Sequence, residues 1–223
     1  MRAPKYDAAI IDLDGTMVDT VSDFEHALGA TFAELGLPGL GRAFIALTVG
    51  KGSEHLVKKS LAQVGGDANL YERAWDRYQH HYQRFNGLYS TVYPGVEAGL
   101  NLLRERGLRL ACLTNKPSAF AQTLLREKNL INWFDNVFGG DAFARKKPDP
   151  LPLLKTCEAL HALPARVLMV GDSSNDAQAA RAAGCPVVLV SYGYNHGEPV
   201  AQAGADAVID SLALLGPLLD SKP

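Results

Sequence analysis

Two aspartates separated by one leucine, Asp12-Leu13-Asp14, follow the apolar run Ala8–Ile11 and precede Gly15-Thr16. In extended backbone, residues two apart point to the same side, and a glycine lets the chain turn sharply afterwards. One carboxylate of such a pair can attack a phosphorus centre and form an aspartyl-phosphate. The other can protonate the leaving oxygen and later take a proton from water. The same residues could equally form an Asx-capped turn, so what stands at the other strand ends matters.

Leu108–Leu113 runs into Thr114-Asn115-Lys116, and Val167–Val170 runs into Gly171-Asp172-Ser173-Ser174-Asn175-Asp176. Ligands of open α/β sheets bind beyond the carboxyl ends of the strands, which is where all three polar segments fall. A carboxylate attacking a phosphate dianion meets strong repulsion, and a hard cation offsets it. Mg²⁺ suits that task, with Asp12, Asp172 and a backbone carbonyl near Asp14 as candidate ligands. Asp176 lies four residues beyond Asp172, where it could orient metal-bound water or Lys147. Helix capping explains Asp172, Ser174 and Asp176 as well, and the two roles are compatible. Thr114 offers a hydroxyl, Asn115 an amide and Lys147, in Arg145-Lys146-Lys147-Pro148, a point charge for phosphate. A lysine before proline is ordinarily a solvated loop residue, so Lys147 depends on its context.

These side chains need elements to converge them. Six apolar runs read as strands: Ala8–Ile11, Leu108–Leu113, Asn136–Phe138, Val167–Val170, Val187–Val190 and Ala207–Ile209. Most are apolar throughout, as in a parallel sheet covered on both faces. Helices are predicted at Gly95–Arg106, Ser118–Lys128, Leu151–Leu160, Ser174–Ala183, Glu198–Ala203 and Leu212–Leu219. The alternation gives an α/β class with a doubly wound parallel sheet. Between Met17 and Tyr89 no strand is evident, but helical patterns cover Thr20–Leu35, Arg42–Leu47, Ser53–Val64 and Asn69–Phe85. The chain therefore divides into an α/β core of residues 1–16 and 90–223 and an inserted all-helical cap of residues 17–89. Hinges are expected at Met17–Asp19 and Tyr89–Pro94, with a cap that opens for substrate and closes to exclude water.

The 223 residues are 47% hydrophobic and 21% charged, with a net charge of −2. No apolar run approaches the ~18 residues of a membrane span, and no basic block suggests nucleic acid. Three cysteines, Cys112, Cys157 and Cys185, share no close spacing and suggest reduced thiols in the cytoplasm. The expected partner is a small phosphorylated metabolite, with no nucleic acid and no membrane, for a monomer or weak homo-oligomer. Tyr71, Trp75, Tyr78, Tyr82 and Phe85 recur at helical spacing and are read as packing. His80 and His81 are read as surface residues, and Cys112 as core. Neither a Gly-x-Ser-x-Gly elbow nor a nucleotide-binding glycine motif is present.

In order along the chain, Asp12-Leu13-Asp14-Gly15-Thr16, Thr114-Asn115, Lys147-Pro148 and Gly171-Asp172 with Asp176 resemble the four motifs of the haloacid-dehalogenase-like hydrolases. The resemblance implies a Rossmann-like core with a helical cap. It implies Asp12 as nucleophile, Asp14 as general acid/base and carbonyl ligand, Thr114 and Lys147 as phosphate binders, Asp172 as a Mg²⁺ ligand and Asp176 behind them. The dehalogenases of the family lack an acidic residue two positions after the nucleophile, so Asp14 implies phosphoryl transfer. Thr48-Val49-Gly50-Lys51-Gly52, Lys146-Lys147-Pro148-Asp149-Pro150, Asp172-Ser173-Ser174-Asn175-Asp176 and Tyr192-Gly193-Tyr194-Asn195 further resemble bacterial phosphoglycolate phosphatases. That implies hydrolysis of 2-phosphoglycolate, with Lys51 and Gly52 on a cap turn meeting the substrate carboxylate. The alternatives are a phosphatase of another small sugar or organic phosphate, a phosphomutase using the same phospho-aspartate chemistry, and a phospho-receiver signalling module.

Overall fold

The apolar tetrapeptide Ala8–Ile11 forms β1, fully buried at the centre of a six-stranded sheet. The computed structural model describes residues 5–220. After β1 come β2 (Val18–Asp19), α1 (Val21–Glu34), α2 (Arg42–Thr48), α3 (Ser53–Gln63), α4 (Tyr71–Phe85) and β3 (Thr91–Val92). The chain continues through α5 (Val96–Glu105), β4 (Arg109–Leu113), α6 (Ser118–Glu127), β5 (Asn136–Phe138), α7 (Leu151–Ala159) and β6 (Val167–Gly171). It ends with α8 (Ser174–Ala183), β7 (Val187–Val190), β8 (Ala207–Ile209) and α9 (Gly216–Asp220).

The sheet order is β5-β4-β1-β6-β7-β8, and every pairing in it is parallel. Alternate residues of each strand face opposite layers. Ala9, Ile11, Leu110, Cys112, Leu168 and Val170 pack with Leu100, Leu103, Leu124 and Leu125 of α5 and α6. Ala8, Ile10, Ala111, Leu113, Val167 and Met169 pack with Leu153 and Cys157 of α7 and with Ala177 and Ala180 of α8. Both faces are therefore covered, and the Val- and Ile-rich strands never alternate with polar residues. The chain runs from β1 outward to β4 and β5 on one side and then crosses to β6 on the other, and this reversal opens a crevice at the carboxyl ends of β1, β4 and β6.

Helices α1–α4 pack around a third apolar cluster that includes Phe24, Phe32, Ile45, Tyr78 and Tyr82. The expected aromatic packing of α4 is present: Tyr78 and Tyr82 are fully buried, stacked 5.3 Å apart, and Tyr82 stacks on Phe24 at 5.0 Å.

Four sequence expectations need correction. Met17–Tyr89 does contain a strand, β2, which pairs antiparallel with β3; two residues are too few to carry a period. Its partners lie in the two segments expected as hinges. The helix expected at Glu198–Ala203 is only a 3₁₀ turn at Val200–Gln202 after Pro199. Leu212–Leu219 divides into a 3₁₀ turn at Leu212–Leu215 and α9. His81 is not a surface residue: it is 6% exposed and its Nε2 lies 2.9 Å from Glu34 Oε1 on α1, while His80 is exposed. Cys112 is core as expected, and the described cysteines are free. Among the described residues, no helix is long and apolar enough to cross a membrane.

Candidate active site

Asp12 and Asp14 leave the end of β1 and are each 8% exposed. A turn closed by Met17 N and Val18 N donating to Leu13 O sets their direction. Gly15 sits in the left-handed region at φ +84°, and a Cβ there would come within 2.3 Å of Asp172 Oδ2. A side chain is excluded on both counts, so glycine is what lets the β1 and β6 loops meet.

Asp172 follows β6 and is held from two sides. Thr16 Oγ1 donates to Asp172 Oδ1 at 3.1 Å, and Tyr194 N donates to Oδ2 at 2.6 Å. Asp176 opens α8 in a reciprocal capping box with Ser173. Its Oδ2 accepts from Ser173 N and Oγ, and its Oδ1 accepts from Lys147 Nζ at 2.7 Å. Asp176 thereby orients the lysine and the helix, and Asp12 and Asp172 stand beside it at the two strand ends.

Lys147 is 4% exposed, and its ammonium donates to Leu113 O at 2.9 Å as well as to Asp176, with Asp12 Oδ1 at 3.1 Å. Asp12 Oδ1 also accepts from Leu13 N at 2.7 Å, which leaves Oδ2 for chemistry. The Lys147 ammonium is thus filled by protein acceptors and serves first to neutralise buried carboxylates. Asn115 likewise has a different task from the phosphate contact expected of its amide. Nδ2 donates to Lys147 O at 2.8 Å and to Gly50 O at 2.9 Å, and Oδ1 accepts from Lys147 N at 3.0 Å. It braces the lysine loop and ties it to the cap.

Oxygens of Asp12, Asp172 and Asp176 lie within 4.8 Å of one another. Burial, opposed by the Lys147 charge and reinforced by Asp176, pushes the Asp12 carboxyl up to about 7. Burial together with the Asp176 and Asp12 charges pushes Asp172 well above the carboxylate range. Crowded, buried carboxylates of this kind suit a divalent cation, which would relieve both desolvation and repulsion.

A small chamber joins this rim to the cap. Asp12, Asp14, Thr114, Asn115 and Lys116 line it from the core, and Phe24, Val49, Gly50, Gly52, Ser53 and Leu56 line it from the insert. Its free space is about 20 Å³, little more than the ~10–15 Å³ that one water requires. Lys51 is exposed and is not among the lining residues, whereas its neighbour Gly52 is. The cap loop is docked by Asn115 and by Asn175 Nδ2 on Gly50 O, and by Lys146 on Glu54 at 3.3 Å.

Lys116 joins the site without being singled out by any sequence motif. Its Nζ lies 3.0 Å from Asp14 Oδ1, donates to the Tyr82 hydroxyl and sits over the Phe24 and Tyr82 rings at 4.7 and 4.8 Å. Thr16 and Tyr194 join the site too, as holders of Asp172. Each stands inside or beside a recognised motif, the only signal available.

The family model of the haloacid dehalogenase-like hydrolases matches residues 6–184. The phosphoglycolate phosphatase of Nitrosospira multiformis is 47% identical over 208 residues, covering 92% of each chain. That of Thiobacillus denitrificans is 44% identical over 209 residues, again covering 92% of each. Among solved structures, CbbY from Rhodobacter sphaeroides in complex with phosphate superposes with a TM-score of 0.83 at 26% identity, covering 97% of this chain and 100% of that one. Fold, strand-end carboxylates and relatives agree, and this chain belongs to the haloacid dehalogenase-like hydrolases.

Proposed function

We propose that the protein is a phosphatase that hydrolyses 2-phosphoglycolate to glycolate and phosphate through a phosphoenzyme on Asp12, with Mg²⁺ as cofactor. The observation that carries this reading is the convergence of Asp12, Asp14 and Asp172 on one strand-end crevice that opens into the chamber under the cap. The names of relatives above 40% identity supply the substrate.

In this reading Asp12 Oδ2 attacks phosphorus while Oδ1 stays pinned by Leu13 N and Lys147. Asp14 delivers a proton to the leaving glycolate oxygen and then deprotonates the water that hydrolyses the acyl phosphate. Thr114, 3% exposed on the chamber wall, donates to a phosphate oxygen. Lys147 favours the ionised form of Asp12 and holds it in place. Asp12, Asp172 and the Asp14 carbonyl would hold Mg²⁺, which supplies charge neutralisation for the attack. Residues 17–89 act as a cap that moves on the β2/β3 ribbon, since the free space in the chamber is far too small for entry of a phosphate ester without opening. The buried free thiols accord with a reducing, cytoplasmic setting.

The test is initial-rate phosphate release from 2-phosphoglycolate beside sugar phosphates, nucleotides and pyrophosphate, with Mg²⁺ and with EDTA. A dominant rate on 2-phosphoglycolate that EDTA abolishes is expected. A dominant rate on another ester would move the substrate, and isomerised product without free phosphate would replace hydrolysis by mutase chemistry.

A further inference from the structure

Lys116 is the one cation among the residues that line the chamber, and nothing in the phosphoryl-transfer chemistry above requires it. It is 3% exposed and enclosed by the faces of Phe24 and Tyr82, which strip it of water. A desolvated ammonium interacts strongly with any anion brought beside it. Its anionic contact is Asp14, the group expected to protonate the leaving oxygen. Whatever is bonded to that oxygen therefore arrives next to Lys116.

The opposite wall is formed by the cap and is uncharged: Val49, Gly50, Gly52, Ser53 and Leu56. Two of these, Gly52 and Ser53, begin the 11-residue helix α3, so its positive end meets the chamber. Ser53 is 5% exposed and lies beside the hydroxyl of the fully buried Tyr78. A sugar would need several matched donors and acceptors to replace the water lost from its hydroxyls. This wall offers one side-chain hydroxyl, a helix start and aliphatic surface. A cation on one side and a helix N-terminus with a buried hydroxyl on the other instead complement a single compact anion.

We infer that Lys116, with Ser53 and the start of α3, forms the subsite that binds the carboxylate of a short phosphorylated acid and selects it over uncharged phosphate esters. The inference rests on the proposed phosphatase reading and assigns selection to the core lysine rather than to Lys51. Lys116 would then bridge Asp14 and the substrate carboxylate, and the two anionic ends of the substrate would be held from opposite sides of the leaving oxygen.

The experiment compares kcat/KM for 2-phosphoglycolate and for 2-hydroxyethyl phosphate, in which CH₂OH replaces the carboxylate, in wild type, Lys116→Met and Ser53→Ala. Wild type should favour the carboxylate ester by about 100-fold or more, the scale of two charge-assisted hydrogen bonds. Lys116→Met should narrow that preference by roughly 30-fold or more, and Ser53→Ala by about 3- to 10-fold. Any loss common to both esters reports on Asp14 and cancels in the ratio. An unchanged ratio in Lys116→Met overturns the subsite even if both rates fall. Should Lys116→Met not fold, Ser53→Ala is read in the same way, and an unchanged ratio there overturns it too. A wild type with no preference for the carboxylate would sink the substrate reading itself, which separates that failure from a preference that Lys116 does not carry.

Discussion

The two walls of the chamber are built by opposite means. The core wall stands on a lattice of charge behind it: Lys147 ties Asp12 to Asp176, and Thr16 and Tyr194 tie Asp172, every member at least nine-tenths buried except the half-buried Tyr194. The cap wall from Val49 to Leu56 presents backbone, one hydroxyl and aliphatic surface, docked through Gly50 O. Reactive groups and the lysine beside them need fixed positions, and rigid strand ends supply them; admitting and enclosing the substrate needs a wall that can leave and return. Damage to the strand-end carboxylates should therefore remove turnover, whereas damage to the cap wall should chiefly shift affinity.

The largest expected effect is at Asp12. Asp12→Asn should lower kcat on the order of 10⁵–10⁶-fold, as loss of a nucleophile does, and leave no acid-stable ³²P label on the protein. A surviving rate within tenfold of wild type would break the assignment of chemistry to the core wall.

Asp172 comes next, and it sharpens the comparison by separating function from stability. Its carboxyl and that of Asp12 titrate higher folded than unfolded. For an acid this sign means that the unfolded chain loses its protons first, so the contribution of these two groups to metal-free stability is fully present below about pH 4 and is lost as pH rises through about 7. Without metal, Asp172→Asn should unfold at higher temperature at pH 7.5, by about 1–2 kcal/mol or roughly 2–8 °C, while losing the Mg²⁺-induced shift and nearly all turnover. Thermal scans at pH 5 and 7.5, with and without Mg²⁺, would check the sign. Lower stability of the variant at pH 7.5 would show that the carboxylates are not mutually strained.

Smaller effects belong to the cap. Gly52 sits at φ +89°, and a Cβ there would lie 3.3 Å from Asn115 O, so Gly52→Ala should impede docking and raise KM about 3- to 10-fold with little change in kcat. Lys51→Ala, beside it but exposed outside the chamber, should change kcat/KM by less than about twofold, as surface substitutions do. Equal effects of the two would erase the distinction between facing the chamber and standing outside it.

Much of this was legible in the sequence because its causes are local. Apolar runs that end in Asp-x-Asp-Gly, Thr-Asn and Gly-Asp fix both the strands and the polar groups at their ends, and Gly184 in the left-handed region stops α8 where the sequence suggests. The two-residue ribbon of β2 and β3 was illegible because its partners are separated by the entire insert. His81 looked like a surface residue because adjacent helix positions face different ways, and only the packing of α4 on α1 decides which way faces Glu34.

The sequence by itself determined the α/β class, the order of the strand-end motifs and the carboxylates that the crevice collects, since each follows from residues within a few positions of one another. Tertiary structure alone decided what their neighbours do. It turned the Asn115 amide away from the crevice to brace Lys147, left Lys51 outside the chamber, and set Lys116 against an aspartate 102 residues away and a tyrosine 34 residues away. A side chain's type fixes which contacts it can make, but its partner is chosen by whichever group the folded chain buries beside it, and the cost of burying an unpaired charge enforces that choice.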